Sequence, residues 1–332
     1  MSSDGDSAIV GSGLGAGREP RLAPVTEVAA GKRQSKLRPL EEALAAVSSG
    51  STVGIGGIVH QSRPVAAVRE LLRRELRELT VFSGPAAGFD VDLLIAAGAV
   101  DTLYVPAVTL EQHGMAPSFR HAVESGRVRA PGIDVLTLVA GYTASWLGVP
   151  FIPVDAWRGT DLTRQNPLAS ELPVPYSGTY AVAPIEVDVF VMHAAEADEL
   201  GNVRSRSPMV TIDVLAAKAA RHVVVVADEL IEHDRVLEDP LATTLPAHRV
   251  DAICVTPYGA HPTSSPGRYA ADDEHIGAYR RAAESARKGD GAALQEYLRT
   301  FVYEVADEDD YVARSGGAER FARLAREERA VT

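Results

Sequence analysis

The chain has 332 residues, 46% of them apolar and 23% charged, enough to bury one large core or two smaller ones. Its net charge of −12 argues against nonspecific nucleic-acid binding and would repel a polyanion unless basic residues gather locally. No apolar run reaches the roughly 18–20 residues of a membrane span. The single cysteine, Cys254, excludes an intramolecular disulfide, and a cytoplasmic protein is expected.

Residues 1–36 are rich in Gly, Ser and Ala without a signal peptide's apolar centre, and a disordered extension is expected there. Within it, Gly11-Ser12-Gly13-Leu14-Gly15-Ala16 matches the dinucleotide pattern G-x-G-x-x-G/A. That pattern needs a strand before it and a helix after it, yet only Ala8, Ile9 and Val10 precede and Pro20 and Pro24 follow. Nicotinamide or flavin binding is not expected, and no cofactor or metal is assigned.

Beyond this segment helical and strand-like patterns alternate. A helix is expected over 39–47, a strand over 53–59, a helix over 64–76, a strand over 79–83, a helix over 90–97 and a strand over 103–105. Helices over 117–125 and 137–146 follow, then strands over 151–154 and 187–193, a helix over 212–220, and strands over 223–227 and 250–255. From Asp273 onward the chain reads as helical, charged and without strands, a tail that wraps the domain or contacts a partner. Apolar strands alternating with helices predict an α/β fold, an open and mostly parallel sheet with helices on both faces. The expected division is 1–36, a domain over 37–270, and a helical extension over 271–332. Arg63, Arg69, Arg73, Arg74 and Arg77 alternate with Glu70, Glu75 and Glu78, which predicts a solvated helix face.

The segment from Ser49 to Pro64 carries the most chemistry. Gly54, Gly56 and Gly57 interrupt its apolar run, and Pro64 suits the first position of the next helix. Glycines at a strand exit let backbone N–H groups approach a ligand, so strand, bare loop and helix start describe a site for an anion or oxyanion. The same glycines also suit a tight turn with close packing. His60, Gln61 and Ser62 stand at the loop exit, where side chains meet whatever fills the cleft; a solvated loop is the plainer reading of His60. Glu111 and His113 follow a strand end, where open α/β sheets bind ligands, and are candidate substrate contacts or acid–base groups. The alternative is a polar connection. His193, Asp198 and Asn202 are expected to be structural, and Cys254 a small core residue.

This segment resembles the signature of the A (alpha) subunit of family I coenzyme A-transferases: Asp/Asn-Gly, two residues, three apolar residues, Gly-Gly-Phe, then Gly-x-Pro. Gly50, Val53, Ile55, Gly56, Gly57 and Pro64 fall in place, while Ser49, Gly54, Ile58 and Ser62 depart from it. Pro150-Phe151-Ile152-Pro153 with Gly159-Thr160-Asp161-Leu162 resembles the family's G-x-P-F-x-P … G-T-D-L stretch. His193 to Asn202 resembles its H-x-x-x-A-D-x-x-G-N turn, and Gly259-Ala260-His261-Pro262-Thr263-Ser264 with Tyr269 resembles G-G-A-H-P-T-S … Y. The resemblance is colinear over residues 38–316 and looks nearest to glutaconate-type and steroid-degradation-type subunits.

The resemblance implies an open α/β fold like that of sugar-phosphate isomerases, and transfer of CoA between an acyl-CoA and a carboxylic acid. In the family a glutamate carboxylate attacks the thioester, and covalent glutamyl intermediates carry the exchange. That glutamate belongs to a B (beta) subunit, in a Ser-Glu-Asn-Gly type motif absent here; Glu124-Ser125-Gly126 is the nearest string. No catalytic nucleophile is expected in this chain, coenzyme A is a substrate, and an αβ or α2β2 assembly with a B subunit follows. Gly54, Gly56, Gly57, His60, Gln61, Ser62 and Val135 are the implied substrate or CoA contacts, with Glu111 and His113 accessory. Val135 stands where the 3-oxoacid transferases have a glutamine that holds the thioester oxyanion and steroid ring-opening hydrolases a glutamate. Either Asp134 or Gln61 substitutes, the register is off by one, or the reaction has drifted. Val135, Tyr142, Trp146 and Trp157 suggest a larger or more apolar acyl group. The alternatives are an acyl-CoA hydrolase or C–C-cleaving hydrolase, and a noncatalytic ligand-binding or regulatory subunit.

Overall fold

The computed structural model describes residues 34–208 and 210–331; the Gly11-to-Ala16 string and nearly all of the expected extension lie outside the described residues. In chain order the strands are β1 Thr52–Ile55, β2 Leu79–Ser83, β3 Val100–Tyr104, β4 Ile152–Val154, β5 Ala169–Glu171, β6 Tyr180–Val182, β7 Val189–Ala197, β8 Val203–Arg204, β9 His222–Leu230 and β10 Ala252–Val255. The helices are α1 Leu40–Ala43, α2 Val65–Arg73, α3 Phe89–Ala96, α4 Pro117–Glu124, α5 Val135–Leu147, α6 Leu162–Gln165, α7 Val210–Ala219 and α8 His233–Glu238. After β10 come α9 Asp273–Arg287, α10 Ala292–Leu298, α11 Glu308–Arg314 and α12 Gly317–Val331.

The main sheet runs β10-β9-β7-β1-β2-β3, all parallel, with β8 antiparallel on β7. Both faces are covered, which is why every residue of β7 is buried and why β9 carries an unbroken apolar run from Val223 to Ala227. Alternation along each strand sorts the core. Val189, Val191, Val224 and Val226 face α2, α3, α9 and α10, whereas Phe190, Met192, Val223 and Val225 face α5 and α7. Local signals place the helix ends: Asp134 caps α5 by accepting from Thr137 N–H, Gly148 ends it at φ +67°, and Asp272 caps α9 through His275 N–H.

Several expected elements come out differently. The strand over 53–59 stops at Ile55, because Ile58 and Gln61 close a turn on each other. The helix over 39–47 shrinks to α1, although Leu44 and Val47 stay fully buried. The strand over 151–154 joins no parallel sheet; as β4 it pairs with β6 in a small antiparallel sheet, β4-β6-β5. Strands β5 and β6 are hidden in the sequence by their length of three residues each and the prolines between them.

The solvated face expected for the arginines of α2 is wrong for Arg63 and Arg69, which are among the largest fully buried side chains. The carboxy-terminal helices lie over Arg69, which pairs with Glu308 at 2.5 Å and stacks over the Tyr311 ring at 3.5 Å, while Arg63 turns to Asp90, Ser83 and the Gly57 carbonyl. A charge pattern that alternates in sequence is blind to a covering element 239 residues away. Arg69→Ala is expected to cost about 2–4 kcal/mol in urea unfolding, because Glu308 and Tyr311 lose a buried cation. Limited proteolysis should then cut first within residues 304–331.

From β1 the chain moves through α2 and α3 to β2 and β3 on one side. From β7 it moves through α7 to β9 and β10 on the other. The winding therefore reverses between β1 and β7, where the carboxyl end of β1 lies beside Val191, and such a reversal is where open α/β sheets hold ligands.

Candidate active site

At this point β1 runs into the Gly56-Gly57 turn. Gly56 N–H donates to the Val191 carbonyl at 2.9 Å and Gly57 N–H to Asp213 Oδ1 at 3.0 Å. A Cβ on Gly54 would lie 2.8 Å from Phe190 Cδ2, and one on Gly56 3.0 Å from Asp213 Oδ1. Gly57 adopts φ +84°, and a Cβ there would fall 2.3 Å from the Ser62 carbonyl oxygen. Close packing thus requires all three glycines. The amides of Ile58, Val59, Gln61 and Ser62 donate to the carbonyls of Gln61, Ala86, Ile58 and Ser264. Val59 and Ser62 sit at φ +42° and +54°, costly for a β-branched residue in particular, so the loop is held in shape by its surroundings.

Arg63 is what holds it. The buried guanidinium donates to Asp90 Oδ2 from Nε at 2.7 Å, to the Gly57 carbonyl at 2.9 Å and to Ser83 Oγ at 2.9 Å. One side chain thereby ties the turn to β2 and α3. On the opposite side Asp213, in the first turn of α7, is 2% exposed. Burial pushes its carboxyl pKa up to about 6, against the opposing pull of the Gly57 hydrogen bond and Arg63.

A raised carboxyl pKa means that the folded chain binds this proton more tightly than the unfolded chain. The contribution is fully present below the unfolded value near pH 4 and is lost as pH rises through about 6. Asp213→Asn, which keeps an acceptor for Gly57, is expected to gain up to about 3 kcal/mol on wild type at pH 8 and nothing at pH 4. Paired urea melts across that range read the difference.

The other expected site residues divide into two groups. His60, Glu111 and His113 come together on the α9 side. The His60 ring is buried and meets the His113 ring edge-on, with centroids 6.3 Å apart. Burial lowers its pKa, and the Leu110 carbonyl beside it opposes that. His113 Nε2 lies 3.0 Å from Asp273 Oδ1, to which Gln112 also donates at 2.6 Å. Glu111 is exposed at φ +46°. Val135 lies apart from these, on the α5 side, as the first residue of α5 and 37% exposed. Asp134 does not replace its missing donor or acceptor. Its Oδ1 accepts from Thr137 N–H at 2.8 Å and Thr137 Oγ1 at 2.7 Å, and its Oδ2 from Trp157 Nε1 at 2.8 Å. Gln61 is exposed and Ser62 buried. His193 packs inside the sheet against Asp228, Nε2 to Oδ2 3.1 Å. Cys254 is buried, its thiol pushed up to about 12 by burial.

Arg63 and Asp213 went unrecognised in the sequence. The signal for Asp213 was slight: one acid in an otherwise uncharged run from Val210 to Ala217. Among the described residues His261, Asp272 and His275 bring metal-ligand atoms within 4.8 Å of one another. The Arg320 guanidinium already pairs with both Asp272 oxygens, while Tyr311 and Tyr297 hydroxyls take His261 Nδ1 and His275 Nε2 at 2.8 and 2.7 Å. That cluster fits a buried ion pair, not a metal. A cavity of about 430 Å³ lies at the loop after β10, its lining including Arg206, Asp228, Tyr258, Arg268, Tyr269 and Arg329 but none of the turn's residues.

Comparison with known proteins agrees with this fold. The sequence profile described as "Coenzyme A transferase" matches residues 38–256. The A subunit of the glutaconate CoA-transferase of Acidaminococcus fermentans is 29% identical over 303 residues, 85% of this chain and 92% of its own length. The crystal structure of that transferase superposes with a TM-score of 0.79 at 28% identity, covering 87% of this chain and 95% of the other. The cholesterol ring-cleaving hydrolase IpdA subunit of Mycobacterium tuberculosis is 28% identical over 291 residues, 84% and 96% of the two chains. An uncharacterized protein of Archaeoglobus fulgidus is 31% identical over 289 residues; this chain spans 62% of its length. With the profile matching residues 38–256 and the whole fold superposing on the glutaconate CoA-transferase, the chain belongs to the coenzyme A transferase family and is similar to its A subunits.

Proposed function

We propose that this chain is the A subunit of a two-subunit enzyme that moves CoA between an acyl-CoA and a carboxylic acid, with a B subunit supplying the nucleophilic glutamate. The carrying observation is the state of the acids at the turn. Burial favours the neutral acid of Asp213, whose Oδ1 is bonded to Gly57, and Asp90 is buried and paired with Arg63, so neither is a free nucleophilic carboxylate. Covalent catalysis then needs an acid from outside this set. The Gly54–Gly57 backbone, Gln61, Ser62 and Val135 line the acyl side of the cleft in this reading, and His60 with Glu111 and His113 the other.

Water as acceptor, giving an acyl-CoA or C–C-cleaving hydrolase, is the second reading. It is favoured by Val135 and by the similarity to the ring-cleaving hydrolase subunit. The test is one incubation of the complex with acyl-CoAs and free acids in ¹⁸O-labelled water, read by mass spectrometry. CoA on the added acid supports the transferase. Label in the released acid without any need for an acceptor supports the hydrolase, and turnover of no acyl-CoA overturns both.

A further inference from the structure

An acyl transfer needs donors at the point where the thioester oxygen becomes an oxyanion. In this chain Val135 has no polar group, Asp134 is committed to its cap, and the amides of Gly56, Ile58, Val59, Gln61 and Ser62 are taken by backbone carbonyls. Gly57 differs, because a side chain holds its amide. Asp213 Oδ1 accepts it, while Oδ2 has no hydrogen-bond partner among the described residues. Asp213 reaches the turn from α7, at the carboxyl end of β1 and beside Met192 of β7, between the two strands where the winding of the sheet reverses.

We propose that Asp213, as the neutral acid, donates a hydrogen bond from Oδ2 to the acyl oxygen of the bound thioester and so replaces the donor missing at Val135. The inference rests on the acyl-CoA reading above. When the nucleophile adds to the acyl carbon, the carbonyl π pair moves onto oxygen and the Asp213 O–H stabilises it. The pair returns as the leaving group departs, and the proton stays on Asp213 throughout. A carboxyl kept neutral by apolar surroundings can serve in this way. Phe190 and Met192 supply those surroundings beside Gly56. The charged and titratable groups facing Asp213 are Arg63 from the start of α2, already paired with Asp90 of α3, and Tyr142 of α5. Burial, with a pKa of about 6, keeps the acid form populated below that pH.

The test uses the complex with the B subunit to compare wild type, Asp213→Asn and Asp213→Leu for kcat and KM between pH 5 and 8. Asp213→Leu is expected to lose roughly 10²–10³-fold in kcat at pH 5.5 with little change in KM. Wild-type kcat/KM is expected to fall about tenfold per pH unit above about pH 6, and Asp213→Asn, whose amide donates at every pH, to lack that fall. Leu within threefold of wild type, or Asn retaining the wild-type fall, overturns the inference. Wild-type turnover alone reports on the acyl-CoA reading, so the two can fail separately. The stability difference between wild type and Asp213→Asn is read on this chain by itself. If it is the same at pH 4 and pH 8, Asp213 does not carry the proton and the inference falls, whatever the complex does.

Discussion

Arg63→Met is expected to destabilise the chain by about 3–5 kcal/mol, the cost of leaving a buried acid without its cation. Asp90 and Arg63 are both fully buried, and the same guanidinium also serves the Gly57 carbonyl and Ser83 Oγ. The double variant Arg63→Met/Asp90→Leu should recover at least half of that loss, since a buried pair exchanged for apolar groups is often nearly neutral. Urea unfolding of both single variants and the double gives the cycle. A loss below about 1 kcal/mol in Arg63→Met would mean that the pair is hydrated and that the turn is held by something else.

Gly57→Ala is expected to cost roughly 3 kcal/mol or more and to remove activity from the complex. Two penalties add: an L-residue at φ +84° costs about 1–2 kcal/mol, and its Cβ meets the Ser62 carbonyl at 2.3 Å, a backbone atom that cannot step aside. Gly98 isolates the first penalty, because it has φ +75° and nothing within 4 Å of a built Cβ. Gly98→Ala should therefore cost only about 1–2 kcal/mol and leave activity intact. Thermal unfolding of the two variants side by side checks the difference, and equal losses would refute the packing account of the turn.

Much of the fold was legible because its elements carry their own periodicity. The runs at Val223–Ala227 and Val187–His193 are apolar enough to require burial on two faces, and Gly56, Gly57 and Pro64 mark a strand exit in any context. The site was legible only in part, for a physical reason. A sequence shows which groups can bond, and packing decides which of them do. The Gly56 and Gly57 amides read as open to a ligand, yet one lies on Val191 and the other on Asp213. Arg69 reads as solvated because the tail that covers it is remote in sequence, and Arg63 because Asp90, Ser83 and the Gly57 carbonyl meet it only in the fold. His60 and His113 stand far apart in the chain and the fold brings them edge to edge; Val135, a candidate alongside them, lies on the other side of the sheet.

The central claim is that this chain is catalytically incomplete and that the nucleophile comes from a B subunit. Intact-mass spectrometry of the complex, quenched during turnover of an acyl-CoA, tests it most directly. The expected result is a covalent CoA adduct on the B subunit, with none on this chain. An adduct on this chain, or turnover of acyl-CoA by this chain without a partner, would contradict the account.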